Sequence, residues 1–118
     1  MADSGLFVGF GAPVRGREQA AIKVFNEVSE YYARLQQQGE IDSFEPVLLE
    51  PHGGELDGFF LLRGDQDKLA RVRGSEEFER LTVRGQLIVE NIGVTGAVLG
   101  ERLMSQMSVY IKQVEELT

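Results

Sequence analysis

The chain has 118 residues, 42% of them hydrophobic and 26% charged, which fits one globular domain over residues 1–118 with a core of its own. It has no cysteine and a formal charge of −7, so disulfides, thiolate nucleophiles and cysteine-based zinc sites are excluded and a nucleic-acid partner is disfavoured. Met1-Ala2-Asp3-Ser4 carries an acid where a secretory leader carries bases, and no apolar run reaches bilayer length, so a cytoplasmic protein without a membrane role is expected.

Leu6-Phe7-Val8-Gly9-Phe10 reads as a strand with apolar side chains on both faces. Gly11, Pro13 and Gly16 break it, and a helix follows over about residues 17–38. Ala21, Val24, Phe25, Val28, Tyr32 and Leu35 recur at three and four residues and form its apolar stripe. Glu30 and Arg34 are spaced for an i,i+4 pair, and Gly39 supplies the stop. A second strand is expected from Ile41 to Glu50; Pro46 cannot donate to a ladder, so that strand belongs at a sheet edge. Pro51 to Asp57 is turn chemistry, and Leu56 to Arg63 reads as the third strand, antiparallel to the second. Asp65 and Ser75 are spaced as N-caps of two short helical segments, with Phe78, Leu81 and Val83 facing inward. A fourth strand is expected over about residues 92–99, kinked by Gly93 and Gly96. The last helix spans about residues 101–117, with Leu103, Met107, Tyr110, Ile111, Val114 and Leu117 on one face and Met104 and Met107 as gap-filling core.

The order β-α-β-β-α-β-α begins with the split βαββαβ, or ferredoxin-like, unit and adds a C-terminal helix. This predicts an α+β domain with a four-stranded antiparallel sheet in order 4-1-3-2. The two most apolar strands then lie in the middle, and the proline strand lies at an edge. Right-handed crossovers place both connecting helices on one face of the sheet. The run Phe59-Phe60-Leu61-Leu62 alternates, so half of it points at the other, bare face. Leaving such side chains in water forfeits roughly 1.5–3 kcal/mol each. Either the C-terminal helix folds back over that face or a second copy stacks on it, and one helix is narrower than four strands. A homodimer packed sheet on sheet is the expectation, with the last helix at its margin or reaching to the partner.

The stretch Ser75-Glu76-Glu77-Phe78-Glu79-Arg80-Leu81, followed by the glycine-containing strand Asn91-Ile92-Gly93-Val94-Thr95-Gly96, resembles the second half of the dimeric α/β-barrel superfamily. The resemblance covers most of residues 5–100. It implies a sheet-on-sheet dimeric barrel and a ligand space between the sheet and its helices. It does not choose among the superfamily's cofactor-free monooxygenases, small isomerases, haem-degrading enzymes and ligand-sensing domains. Its small monooxygenases often use a histidine on the second helix or a Trp–Asn pair. This chain has no tryptophan, and its one histidine is elsewhere.

That histidine, His52, has a pKa range suited to acid–base work, but it sits in a turn between Pro51 and Gly53-Gly54. It is the one catalytic candidate, set against the reading of an exposed loop residue. No metal-ligand pattern surrounds it, and neither a metal nor another cofactor is expected. Gly9-Phe10-Gly11-Ala12-Pro13-Val14 opens like a dinucleotide fingerprint but lacks the third glycine and the alternating parallel units; the glycines more simply shape the turn. Arg71, Arg73, Arg80 and Arg84 are interleaved with Glu76, Glu77 and Glu79 and read as a solvated helix face. In the ligand space that the resemblance implies, Tyr32 would offer an aromatic wall and a hydroxyl, Arg84 a partner for an anion, and Asn91 a donor and an acceptor. The expected function is a small homodimer whose sheet–helix cavity binds a modest apolar or aromatic organic molecule in a binding or sensing role. The alternatives are a cofactor-free monooxygenase or isomerase of the same fold, or a structural dimer with a filled interior.

Overall fold

Strict alternation along the two middle strands organises the molecule. The computed structural model describes residues 3–118 and builds β1 (Ser4–Phe10), α1 (Glu18–Gln37), β2 (Ser43–Leu48), β3 (Gly58–Gly64), α2 (Gln66–Arg73), α3 (Glu76–Gln86), β4 (Gly93–Val98) and α4 (Gly100–Leu117). The strands form one antiparallel sheet in the order β2-β3-β1-β4. This is the expected 4-1-3-2 arrangement read from the other edge, with Pro46 on an edge strand. Leu6 lies opposite Leu62 and Val8 opposite Phe60, so these four point to one face. Phe7 and Leu61, also paired, point to the other.

The first face is covered by α1, α2 and α3. Leu6, Val8, Phe60 and Leu62 meet Tyr31, Tyr32, Leu35, Leu69, Val72, Phe78 and Leu81 in a single buried cluster. Leu62 is wholly buried at its centre. The helix ends follow from local chemistry. Gly39, at φ +75°, closes α1 in a Schellman motif, with Glu40 N–H donating to the Leu35 carbonyl and Gly39 N–H to that of Gln36. The Asp65 carboxylate accepts from the amides of Asp67 and Lys68, and the Ser75 hydroxyl oxygen from that of Phe78, capping α2 and α3.

Three expectations need correction. Arg34 pairs not with Glu30 but with Glu77 of α3, at 2.6 Å, because the helix–helix approach brings that carboxylate closer in line. Val83 is 47% exposed: the inward stripe of α3 runs Phe78, Leu81, Gly85, and Val83 falls on the far side. Met104 and Met107 fill no core of their own chain. No residue of α4 is buried, and its whole apolar face stands in solvent. Gly100, at φ +55°, sets the helix off from the end of β4, and the molecule reaches 53 Å along its longest axis.

Among the described residues, no helix is long and apolar enough to cross a membrane.

Candidate functional site

The covered face of the sheet does not close completely. Between it and α1 and α3 lies a cavity of about 610 Å³. Its sheet wall is Val8, Phe10 and Phe60; α1 contributes Ala21, Val24, Phe25, Val28, Tyr31 and Tyr32, and α3 contributes Phe78, Leu81, Thr82 and Gly85. The apolar stripe of α1 therefore serves two purposes. Leu35 packs wholly into the core, while the rest of the stripe also borders the open space. The difference follows from the wall opposite. Beyond β1 the chain turns into an irregular ribbon in which Gly11 N–H donates to the Glu90 carbonyl and Val14 N–H to that of Ile88, with Pro13 bridged to Val89. That ribbon contributes Ile88 and Val89 to the lining, with Ile92 just beyond it, and packs Ile88 and Val89 against Ala21 and Val24 of α1.

The cavity has a buried end and a mouth. Tyr31, Tyr32, Phe60, Phe78 and Leu81, each no more than 5% exposed, form the buried end. The Phe60 ring lies 5.1 Å from both Tyr32 and Phe25, and Phe10 completes the aromatic wall. At the mouth stand Glu18, Ile22, Leu48, Leu49, Pro51 and Asp57.

Most polar groups on the lining are already committed. The Thr82 hydroxyl donates to the Phe78 carbonyl at 2.8 Å. Ser75 donates its proton to the Val72 carbonyl, so its oxygen accepts from the Tyr31 hydroxyl at 3.3 Å. Burial pushes the Tyr31 phenol up, against the lowering pull of that bond. Tyr32 differs. Its hydroxyl has no hydrogen-bond partner among the described residues, yet no sealed side-chain polar atom lacks a partner there, so this hydroxyl borders open space. Burial, with the neighbouring Tyr31 second, holds its phenol far above the ordinary tyrosine range. At neutral pH it is a donor on a residue that lines an apolar chamber. Among the described residues the carboxylates of Glu18 and Asp57 have neither an ion pair nor a hydrogen bond; Asp57 uses only its backbone, donating to Phe10 and accepting from Leu49.

Of the four residues singled out in the sequence, Tyr32 alone lies on this lining. His52 stands in the exposed β2–β3 loop, next to Pro51 of the mouth. Its Nδ1 accepts from the Gly54 amide at 3.2 Å, which leaves Nε2–H to donate to the Leu56 carbonyl at 2.7 Å. Both ring nitrogens are thus engaged in shaping the turn. Arg84 lies outside the lining, bidentate on Glu27 at 2.9 and 3.0 Å, and ties α3 to α1 over the cavity roof. Asn91 is exposed at φ +55° in the turn before β4, where a left-handed backbone suits asparagine. Glu18 and Asp57 were not singled out. The available signal was their placement, one at the first turn of a helix and one at the mouth of a strand, both at the same end of the sheet. No group of three or more histidine or acidic side chains able to hold a metal occurs among the described residues.

The other face of the sheet carries Phe7, Phe59 and Leu61, half-buried, with Val47 and Ala97 beside them. The Phe7 and Phe59 rings lie 5.0 Å apart. Arg63 and Glu45 pair at 3.0 Å at one corner of this apolar field.

No family profile matches the chain, and no curated protein matches it. Solved structures do. One is a dimeric protein of unknown function with a ferredoxin-like fold from Bacteroides fragilis, at TM-score 0.59 and 11% identity, over 81% of this chain and 96% of that one. Another is SnoaB, a cofactor-independent oxygenase from Streptomyces nogalater, at TM-score 0.54 and 16% identity, over 84% of this chain and 95% of that one. At such identities the likeness carries the fold, which is ferredoxin-like.

Proposed function

We propose that the protein is a homodimer whose sheet–helix cavity binds a small apolar or aromatic organic molecule, held by one hydrogen bond from Tyr32. The observation that carries this reading is Tyr32, only 3% exposed, whose hydroxyl has no hydrogen-bond partner among the described residues, on the lining of a 610 Å³ aromatic-walled chamber. A chamber of that volume lies in the range of small-molecule sites. An open hydrophobic space costs packing energy, and a donor without an acceptor adds to that cost; a ligand bearing a carbonyl or ether oxygen removes both. Titration with the neutral dye N-phenyl-1-naphthylamine tests this. Saturable fluorescence enhancement at one dye per chain is expected, and Ala21→Trp, which fills the chamber from α1, abolishes it. A linear, unsaturable response, or an enhancement that survives Ala21→Trp with the fold intact, defeats the binding reading.

The assembly rests on the bare face and on α4. Phe7, Phe59 and Leu61 form an apolar centre with a polar corner at Arg63–Glu45, the usual anatomy of an interface. The bare face continues to α4: the Leu99 side chain lies beside Leu61 over Gly5, and Leu99 is the N-cap residue of that helix. Most of a helix's stability in a protein comes from packing its apolar face, and α4 buries none of its residues on its own chain, so it needs a surface outside it. The second subunit supplies it. The dimeric neighbour of the same fold supports this assembly.

A second reading, a cofactor-independent enzyme in the same cavity, is favoured by one observation: Asp57 puts a carboxylate with no partner among the described residues at the mouth of a chamber whose other end holds a neutral phenol donor. A base and a donor on opposite sides of one bound molecule suit proton abstraction beside a carbonyl. With a turned-over compound in hand, Asp57→Asn should remove turnover while dye binding persists; equal turnover leaves the chamber as a binding site only.

A further inference from the structure

The lining of the cavity is apolar almost throughout, and the charges it does carry are of one sign. Among the described residues Glu18 and Asp57 are its only ionisable side chains apart from the two tyrosines, and both are at the mouth. Among the described residues no lysine or arginine is on the lining: Arg15 and Arg17, in the β1–α1 loop, are off it, and Arg84 is spent on Glu27. Neither mouth carboxylate is neutralised by an ion pair or hydrogen bond among the described residues, and low-dielectric walls focus the field of such groups into a cleft.

Resting on the cavity reading above, we infer that the site is selective for charge and takes apolar amines. The apolar body occupies the chamber, and the protonated nitrogen sits at the mouth between Glu18 and Asp57. Carboxylic and sulfonic acids of the same shape are refused, because entry of an anion would bring it past two carboxylates with no cation to meet it. A charged group cannot escape the conflict by inverting. At the buried end it would lie against Phe60, Phe78 and Leu81 with a single phenol for company, and burying a charge unpaired costs far more than the mouth repulsion.

Competition against bound N-phenyl-1-naphthylamine by decylamine, decanol and decanoic acid at pH 7.5 tests this with one chain length and three charges. The expected order of affinity is amine, alcohol, acid, with at least tenfold between amine and acid, narrowing as salt is raised. Glu18→Gln with Asp57→Asn brings that ratio to within about threefold. Glu115→Gln with Glu116→Gln on α4 changes net charge by the same amount off the cavity lining and leaves the ratio in place. Equal displacement by amine and acid, a ratio that survives the mouth variant, or one that falls equally with the α4 variant overturns the inference while leaving the cavity reading standing. Failure of the neutral dye itself to bind overturns both.

Discussion

Leu61 and Leu62 are neighbours in one strand with the same side chain, and they face different solvents. Leu62 is wholly buried against the helices of its own chain. Leu61 is half-buried on the bare face. Leu62→Ala should therefore cost about 2–5 kcal/mol of chain stability through lost transfer energy and an internal void. That loss should not depend on protein concentration. Leu61→Ala removes a side chain with at most about a third of its area left for a partner to bury. At roughly 2 kcal/mol for a leucine, up to about 0.7 kcal/mol is lost per copy and about 1.4 kcal/mol per two-fold dimer, which weakens Kd up to about tenfold. Sedimentation velocity over a hundredfold concentration range and urea melts at two concentrations separate the effects. The unmutated midpoint should rise with concentration, and Leu61→Ala should lose that dependence at the lower concentration. A monomer at every concentration, or a Leu61→Ala loss as large and as concentration-independent as that of Leu62→Ala, would falsify the sheet-on-sheet assembly.

Three further outcomes follow from local geometry. Tyr32 keeps its proton in the folded state above the pH where an unfolded tyrosine, with a pKa near 10, releases it. Stability is thus complete below pH 10 and falls by about 1.4 kcal/mol for each pH unit above it; Tyr32→Phe should flatten that decline in thermal melts from pH 9 to 11, and an unchanged slope would remove the tyrosine from the account. A methyl on Gly11 would stand 2.8 Å from the carbonyl oxygens of both Glu55 and Glu90, so Gly11→Ala should destabilise by about 3 kcal/mol and loosen the dye site, measured by urea melts and titration. Ser75→Ala strips the α3 cap and the acceptor of the Tyr31 hydroxyl together and should cost about 1–2 kcal/mol; a loss of a few tenths in the same melts would count against that coupling.

The topology was legible because period-two and period-three-to-four patterns are local. Pro46 marked an edge, the Phe59–Leu62 run marked a central strand, and Asp65, Ser75 and Gly39 marked helix ends; the structure places each there. The site was less legible, because a cavity is a failure of two surfaces to meet and leaves no periodic trace. Ala21, Val24 and Leu35 belong to one stripe, but only the first two lie on the lining. Arg84 and His52 drew attention by residue type. Their partners, Glu27 far along the chain and the Leu56 carbonyl in the same loop, depend on how the backbone is placed. Exposure of α4 could not be read from its stripe, since an amphipathic pattern specifies an apolar neighbour without saying whose it is.

One feature of β1 connects the two faces. Its bare-face positions are Gly5, Phe7 and Gly9. A methyl on Gly9 would stand 2.7 Å from the Phe7 ring, so the missing side chain is what lets that ring lie down along the strand. The gap at Gly5 is filled in the same way by the ends of Leu61 and Leu99. Two glycines in a central strand weaken it, by roughly 0.5–1 kcal/mol each relative to alanine, and nothing on the helix side of the sheet benefits. What they produce is room for apolar side chains to lie across the strand, with the Phe7 ring over Gly9 and tilted 32° to that of Phe59. Sheets that stack face to face approach to about 10 Å, and a field of aromatic and leucine side chains suits that spacing. A face meant to stay in water has no use for such a surface. The chamber on one side and the proposed interface on the other thus fall on alternate residues of the same strand, which is why the odd positions of β1 and β3 should answer to concentration and the ligand should not.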